Sequence, residues 1–167
     1  MFTTIDQFKE LWKKESDNTK KIFSALTDAS LAKKVADEHR TLGRMAWHIV
    51  TTFPEMMKHM ALEVKGVSEN DPMPKSTAEI AKAYENVSSS MIDQITKSWN
   101  DETLQVEDDM YGEKYKRGDS LCMFLNHEIH HRGQMTVLMR QAGLKVPGIY
   151  GPAKEEWSKY GMKEPEV

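Results

Sequence analysis

Residues 127–134 read His127-Glu128-Ile129-His130-His131-Arg132-Gly133-Gln134, and the reading of the whole chain turns on them. His127 and His131 stand four apart, so on a helix both imidazoles leave one face about one turn from each other. At about 100° per residue, Phe124, His127, His131, Met135, Leu138 and Ala142 share one stripe. The segment is therefore a helix whose core-facing line is interrupted by two histidines. A lone histidine on such a line is ordinarily a buried, hydrogen-bonded group without further role. Two on one face both need partners, and one divalent ion supplies a partner to each.

The surrounding chain is helical as well. Residues 4–26 carry Ile5, Phe8, Leu11, Trp12, Ile22, Phe23 and Leu26 at three- and four-residue intervals. Residues 27–40 are charged and lack a long period, with room for a short helical turn. Thr41 caps a second helix reaching Leu62, with Met45, Ile49, Met56 and Met60 on its stripe. Asn70-Asp71-Pro72 and Pro74 mark residues 66–74 as a loop. Ser76-x-x-Glu79 is a capping box opening a third helix, which carries Ile80, Tyr84, Val87, Met91, Ile95 and Trp99. Residues 100–118 are polar, and Tyr111-Gly112 and Arg117-Gly118 make them a loop or at most a short hairpin. Asp119 or Ser120 caps the fourth helix and Gly143 ends it. Pro147, Gly148, Gly151 and Pro152 keep the tail irregular, with one more helical turn at 153–160. Four such segments without a strand pattern predict an all-α four-helix bundle with an irregular C-terminal tail.

A chain of 167 residues fits one domain spanning 1–167. Its net charge of −3 gives no attraction to nucleic acid or anionic lipid. No apolar run approaches the about 18 residues of a membrane span, and Met-Phe-Thr-Thr-Ile-Asp lacks the blocks of a signal peptide. The single Cys122 excludes an internal disulfide and fits a reducing compartment. The expectation is a cytoplasmic protein acting on a small molecule, with no nucleic-acid or membrane partner. The 12 methionines read mainly as adaptable core filler. Methionines and tryptophans on exposed helix faces leave surface that a second subunit can cover, so a homodimer is expected.

Two histidines hold a divalent ion weakly, so a third ligand is needed. His48 and His59 both lie on the stripe of the second helix, but at about 1.5 Å per residue they stand roughly 16 Å apart. One ion cannot take both. His48 joins the pair only if the N-terminal halves of its helix and the fourth lie level. His39 precedes its helix and His130 points about 100° off the stripe, so both read as surface residues. Trp47-His48, His127-x-x-x-His131, the string His131-Arg132-Gly133-Gln134 and the tail Val146-Pro147-Gly148-Ile149-Tyr150-Gly151-Pro152 together resemble the DinB-like (YfiT-like) family over nearly the whole chain. The resemblance implies an up-up-down-down bundle, frequent homodimers, and a three-histidine metal site matching His48, His127 and His131. Glu38-His39-Arg40-Thr41 departs from the family, where an aromatic is common, and bears on the pocket wall.

His127-Glu128-x-x-His131 also matches the zinc-protease signature. A metzincin continuation needs Gly at 134 and His at 137, where Gln134 and Val137 stand. Glu155 and Glu156 lie too far downstream for a thermolysin-like ligand, and there is no strand edge for a peptide. Glu128 accordingly reads as a partly exposed helix residue, with a carboxylate beside the metal as the sharper alternative. Arg132 reads as solvated or ion-paired, with an anionic substrate group as its alternative partner. Gly133 costs about 1 kcal/mol in mid-helix, which points to a close helix contact or room beside the metal. A three-histidine shell leaves a coordination position open, as in catalytic zinc sites. Zinc, nickel, copper or iron all suit imidazoles. Similarity to characterised relatives implies an S-transferase using a low-molecular-weight thiol. A metal-dependent hydrolase and a non-catalytic metal-binding stress protein are the alternatives.

Overall fold

A computed structural model describes residues 2–166. It contains α1 (Ile5–Ser24), α2 (Leu42–His59), α3 (Thr77–Ser98), the hairpin β1 (Glu107–Met110) and β2 (Glu113–Lys116), and α4 (Arg117–Gln141). The expected four-helix bundle is present. Among the described residues no helix is long and apolar enough to cross a membrane. Thr4, Thr41 and Ser76 cap α1, α2 and α3 by accepting a backbone N–H three residues on. Short 3-10 turns occupy Asp28–Ala32 and Lys154–Tyr160, where brief helical turns were expected.

The helix directions differ from the implied up-up-down-down order. Phe2 lies against Gly118, Trp12 meets Phe124 at 5.4 Å, and Thr19 reaches Glu128, so α1 and α4 run together. Trp12 donates to Ser88, and Asp101 accepts from the Ile5 amide, so α3 opposes α1. Phe53 meets Phe124 at 4.9 Å while His48 meets His127, so α2 opposes α4. The order is up, down, down, up. The connections explain it. Leu42 N–H donates to Lys33 O at 2.7 Å, which turns the chain straight back after α1. Residues 60–76 then travel back along the bundle, pinned where Trp47 Nε1 donates to Asp71 O (2.9 Å) and Thr77 N–H to Asp28 Oδ1 (2.7 Å). α3 thereby starts beside the start of α2.

Two helix ends also moved. α2 stops at His59 rather than Leu62, because Ala61 adopts φ 56° and breaks the ladder. α4 begins at Arg117, ahead of the expected caps Asp119 and Ser120. The hairpin delivers the chain directly into it, as Arg117 N–H donates to Val106 O (2.9 Å) and its guanidinium holds Asp108. At the other end Gly143, at φ 76°, ends the helix as expected.

Phe8, Trp12, Phe53, Tyr84 and Phe124 form the aromatic centre, each 0–2 % exposed. Trp12, Trp47 and Trp99 are buried, as are eight methionines from Met45 to Met139. The expectation of methionines and tryptophans on exposed faces therefore fails for these residues. The side chains that do stand out are Leu11, Val35, Val106 and Val137, with several tyrosines and Met162.

Candidate metal centre

Because α2 opposes α4 and Phe53 meets Phe124, stepping back along α2 to His48 matches stepping forward along α4 to His127 and His131. The levels coincide, as a third ligand required. His48 Nε2 lies 3.2 Å from His127 Nε2, and His131 Nε2 lies 3.0 Å from it. One ligand atom from each falls within 4.8 Å of the others, close enough to hold one ion. A tetrahedral ion with nitrogens at about 2.05 Å separates them by about 3.3 Å, so the donor set fits. Among the described residues this cluster includes no fourth His, Cys, Asp or Glu.

The electrostatics suit ligation. Burial first, then Arg40, His131 and His127, bring the His48 imidazole down to about 3. Burial, with His131, His130 and Arg40, brings His127 down to about 4. His131 is lowered chiefly by burial, against the Gln134 contact. All three are therefore neutral near pH 7, the form that ligates. His131 Nδ1 donates to Gln134 Oε1 at 2.8 Å, which leaves the Nε2 lone pair facing the other two rings. Sequence reading missed Gln134; its signal is the three-residue spacing on the helix. The other histidines stay outside the cluster: His39 is exposed, the exposed His130 has its ring centroid 5.0 Å from that of His131, and the exposed His59 contacts Asp109 O.

The buried line of α4 does not pass through the histidines. It runs through Leu121, Phe124, Leu125, Glu128, Arg132, Met135, Leu138 and Met139, so Phe124, Met135 and Leu138 of the expected stripe are buried while His127 and His131 stand half-buried beside it. Glu128 is 2 % exposed, which overturns the partly exposed reading. Its Oε1 accepts from Thr19 Oγ1 (2.6 Å) and Tyr84 OH (2.8 Å). Burial pushes its carboxyl up to about 7, against the pull of those bonds and Arg132. It faces α1 and α3 and lines neither cleft beside the histidines, so the protease role for Glu128 has no geometric basis.

Arg132 is ion-paired, as one of its two readings had it. It binds Glu15 and donates to Glu15 O (3.0 Å), Thr19 Oγ1 (3.0 Å) and Tyr150 OH (2.7 Å). Burial alone would raise the Glu15 carboxyl, but Tyr150 and Arg132 hold it below its usual value. Gly133 has neither expected reason: it is exposed, and a Cβ there meets nothing within 4 Å.

Two clefts flank the trio. The first, about 430 Å³, includes His48 and His127 with Arg44, Thr51, Thr52, Glu55, Glu69, Asn70 and Tyr111. The second, about 390 Å³, includes His131 and Gln134 with Val35, His39, Arg40, Met45, Val137 and Leu138. Both have the size of small-molecule sites.

The sequence model of the DinB family matches residues 1–166. A Bacillus subtilis (strain 168) protein described as uncharacterized protein YrdA is 42% identical over 167 residues, covering 100% of both chains. The crystal structure of a DinB-like protein from Bacillus cereus ATCC 10987 superposes with a TM-score of 0.86 at 41% identity, over 90% of this chain and 100% of that one. That of YjoA, a DinB-like protein of Bacillus subtilis, superposes at 0.68 with 19% identity, over 88% and 99%, and so shares the fold. With a bundle and histidine trio of the kind the sequence motifs anticipate, the chain belongs to the DinB family.

Proposed function

We propose that this protein is a metal-dependent S-transferase: His48, His127 and His131 bind one divalent ion, and a low-molecular-weight thiol gives its sulfur to a small electrophile. The observation that carries the reading is the convergence of three neutral imidazole nitrogens at the wall of open clefts, with no fourth His, Cys, Asp or Glu in the cluster among the described residues. Zinc, nickel or iron suits this donor set. A divalent ion held there supplies positive charge that favours thiolate over thiol. The chain does the rest. The Gln134 contact fixes the His131 tautomer, and Arg44, Glu55 and Glu69 offer charges to a polar thiol at the first cleft. The thiol proton passes to solvent. Sulfur then attacks the electrophilic carbon, a C–S bond forms, and the leaving group departs with the bonding pair.

The test starts with metal analysis of protein purified without chelating resin. Cobalt-substituted protein is then titrated with a panel of small cellular thiols, and conjugation of a chlorinated nitroaromatic is followed. A spectral change with thiol, and conjugation needing both metal and thiol, are expected. Ester or amide hydrolysis with no response to any thiol points to the hydrolase instead. A metal spectrum indifferent to thiol and water leaves the binding-protein reading. The lone cysteine supports action in the cytoplasm. A homodimer also belongs to this reading, measured by light scattering as twice 19.2 kDa; a monomer at micromolar concentration overturns that part.

A further inference from the structure

The two clefts differ in chemistry. The one beside His48 and His127 carries Arg44 and Glu69, for which no ion pair is found among the described residues, and Glu55, which accepts from Tyr111 OH at 2.8 and 2.9 Å. A cation and two carboxylates at one mouth suit a small zwitterion. The cleft beside His131 is walled by Val35, Met45, Val137 and Leu138. Val35 and Val137 are 56% and 55% exposed, so two of the chain's few outward aliphatic side chains converge on this one cavity. Isolated surface valines need no explanation, but apolar walls on a cavity of ligand size do. The cleft's cation is Arg40, again without an ion pair among the described residues, in the segment that departs from the family pattern. Its charge also reaches all three histidines. An uncompensated arginine beside apolar walls suits an apolar body with an electron-rich or anionic end.

We propose that the His131-side cleft binds the electrophile, a small apolar molecule with an anionic or departing-anion group held at Arg40, while the thiol uses the opposite cleft. This rests on the S-transferase reading, because it assigns that reaction's two substrates to two sides of the histidine trio. The arrangement keeps a polar thiol and an apolar acceptor from competing for one surface, and it places the bond being formed beside the trio.

The test reads binding to the zinc-loaded protein with 2,4-dinitrophenolate, a coloured anionic aromatic, by absorbance and calorimetry. Saturable one-to-one binding is expected. Val137→Asp, and independently Val35→Asp, should weaken it at least tenfold, and Arg40→Ala several-fold. Glu69→Gln, in the other cleft, should change it less than twofold. Both valines are exposed, and circular dichroism and zinc content confirm that each variant is folded and loaded. Absence of saturable binding overturns the proposal. So does phenolate binding indifferent to both valine variants, since the anion then sits at the metal or elsewhere. If the valine variants instead turn a dimer into a monomer by light scattering, the cleft is an interface between copies and the proposal falls. A parallel thiol titration of the cobalt protein separates the two readings. Lost thiol response with valine-sensitive phenolate binding sinks the S-transferase and keeps the apolar site. The reverse result does the opposite.

Discussion

Two pairs of side chains share α4 at the same four-residue spacing, Glu128 with Arg132 and His127 with His131, one residue out of phase. The first pair faces α1 and α3 and is 2 % exposed at each residue. Every partner it has is protein: Thr19, Tyr84, Glu15 and Tyr150. The second pair faces α2 and the clefts, and apart from Gln134 its nitrogens contact only another histidine. A polar cluster partnered from within at every group but Glu128 Oε2, a buried oxygen without a hydrogen bond, is committed to holding the fold. One whose acceptors converge on each other is poised for something the chain does not supply. Phase on the helix, one residue's rotation, decides between the two.

The sharpest way to break this contrast is to remove the arginine. Arg132→Met strands Glu15 and Glu128 in the core without their cation, and breaking a buried pair from one side costs about 3–5 kcal/mol. Urea unfolding should show a loss in that range. A loss under about 1 kcal/mol would mean the network is solvated and the contrast is false.

The histidine side should respond in the opposite way. His48→Ala, His127→Ala or His131→Ala should each weaken the metal at least a hundredfold, near 2.7 kcal/mol, and cost little stability in metal-free protein. His39→Ala, His59→Ala and His130→Ala should leave stoichiometric metal in place. Full occupancy in the His48 variant would remove the third ligand. Gln134→Ala frees the His131 ring and should weaken binding about tenfold.

The pH dependence follows from the depressed imidazoles. His48 and His127 have folded values of about 3 and 4, below the 6.5 of a free histidine. Between those limits the unfolded chain binds the extra protons, so these groups favour the folded state above pH 6.5 and progressively oppose it as pH falls toward 4. Zinc faces less proton competition than at free imidazoles, because all three rings are lowered. Its affinity should fall less steeply from pH 7.5 to 5.5 than three free histidines would require, measured by competition with a chelator whose own pH dependence is known. A steep fall would show that the rings titrate as free imidazoles do.

The sequence carried one face of α4 better than the other. The histidine spacing was legible because two neutral rings on one face are unusual, and the resemblance supplied His48. Phe124, Met135 and Leu138 of the expected core line are buried, but Glu128 and Arg132 are buried with them, which was hidden because both are charged and a polarity pattern places them outside. Their burial depends on Glu15 and Tyr150, which are remote in sequence and meet Arg132 only after α1 and the tail have docked. Helix directions were equally hidden. They are set by tethers such as Leu42 to Lys33 and Thr77 to Asp28, which leave no mark on helical periodicity.

The smallest expected effect tests the outward face itself. Gly133 follows Arg132 in α4 and was assigned a packing reason, yet its Cβ position is open for 4 Å. An alanine there keeps helical geometry, touches nothing, and removes the conformational freedom that glycine has in the unfolded chain. Gly133→Ala should therefore stabilise the protein by roughly 0.5–1 kcal/mol, seen as a higher urea midpoint at unchanged slope. Zinc affinity should not move, because the glycine lies beside His131 in sequence but off the face that carries it. A destabilised variant would show that something packs on this surface in solution. If the loss also grew with protein concentration, a second copy of the chain would be that neighbour, and the outward face of α4 would belong to an interface.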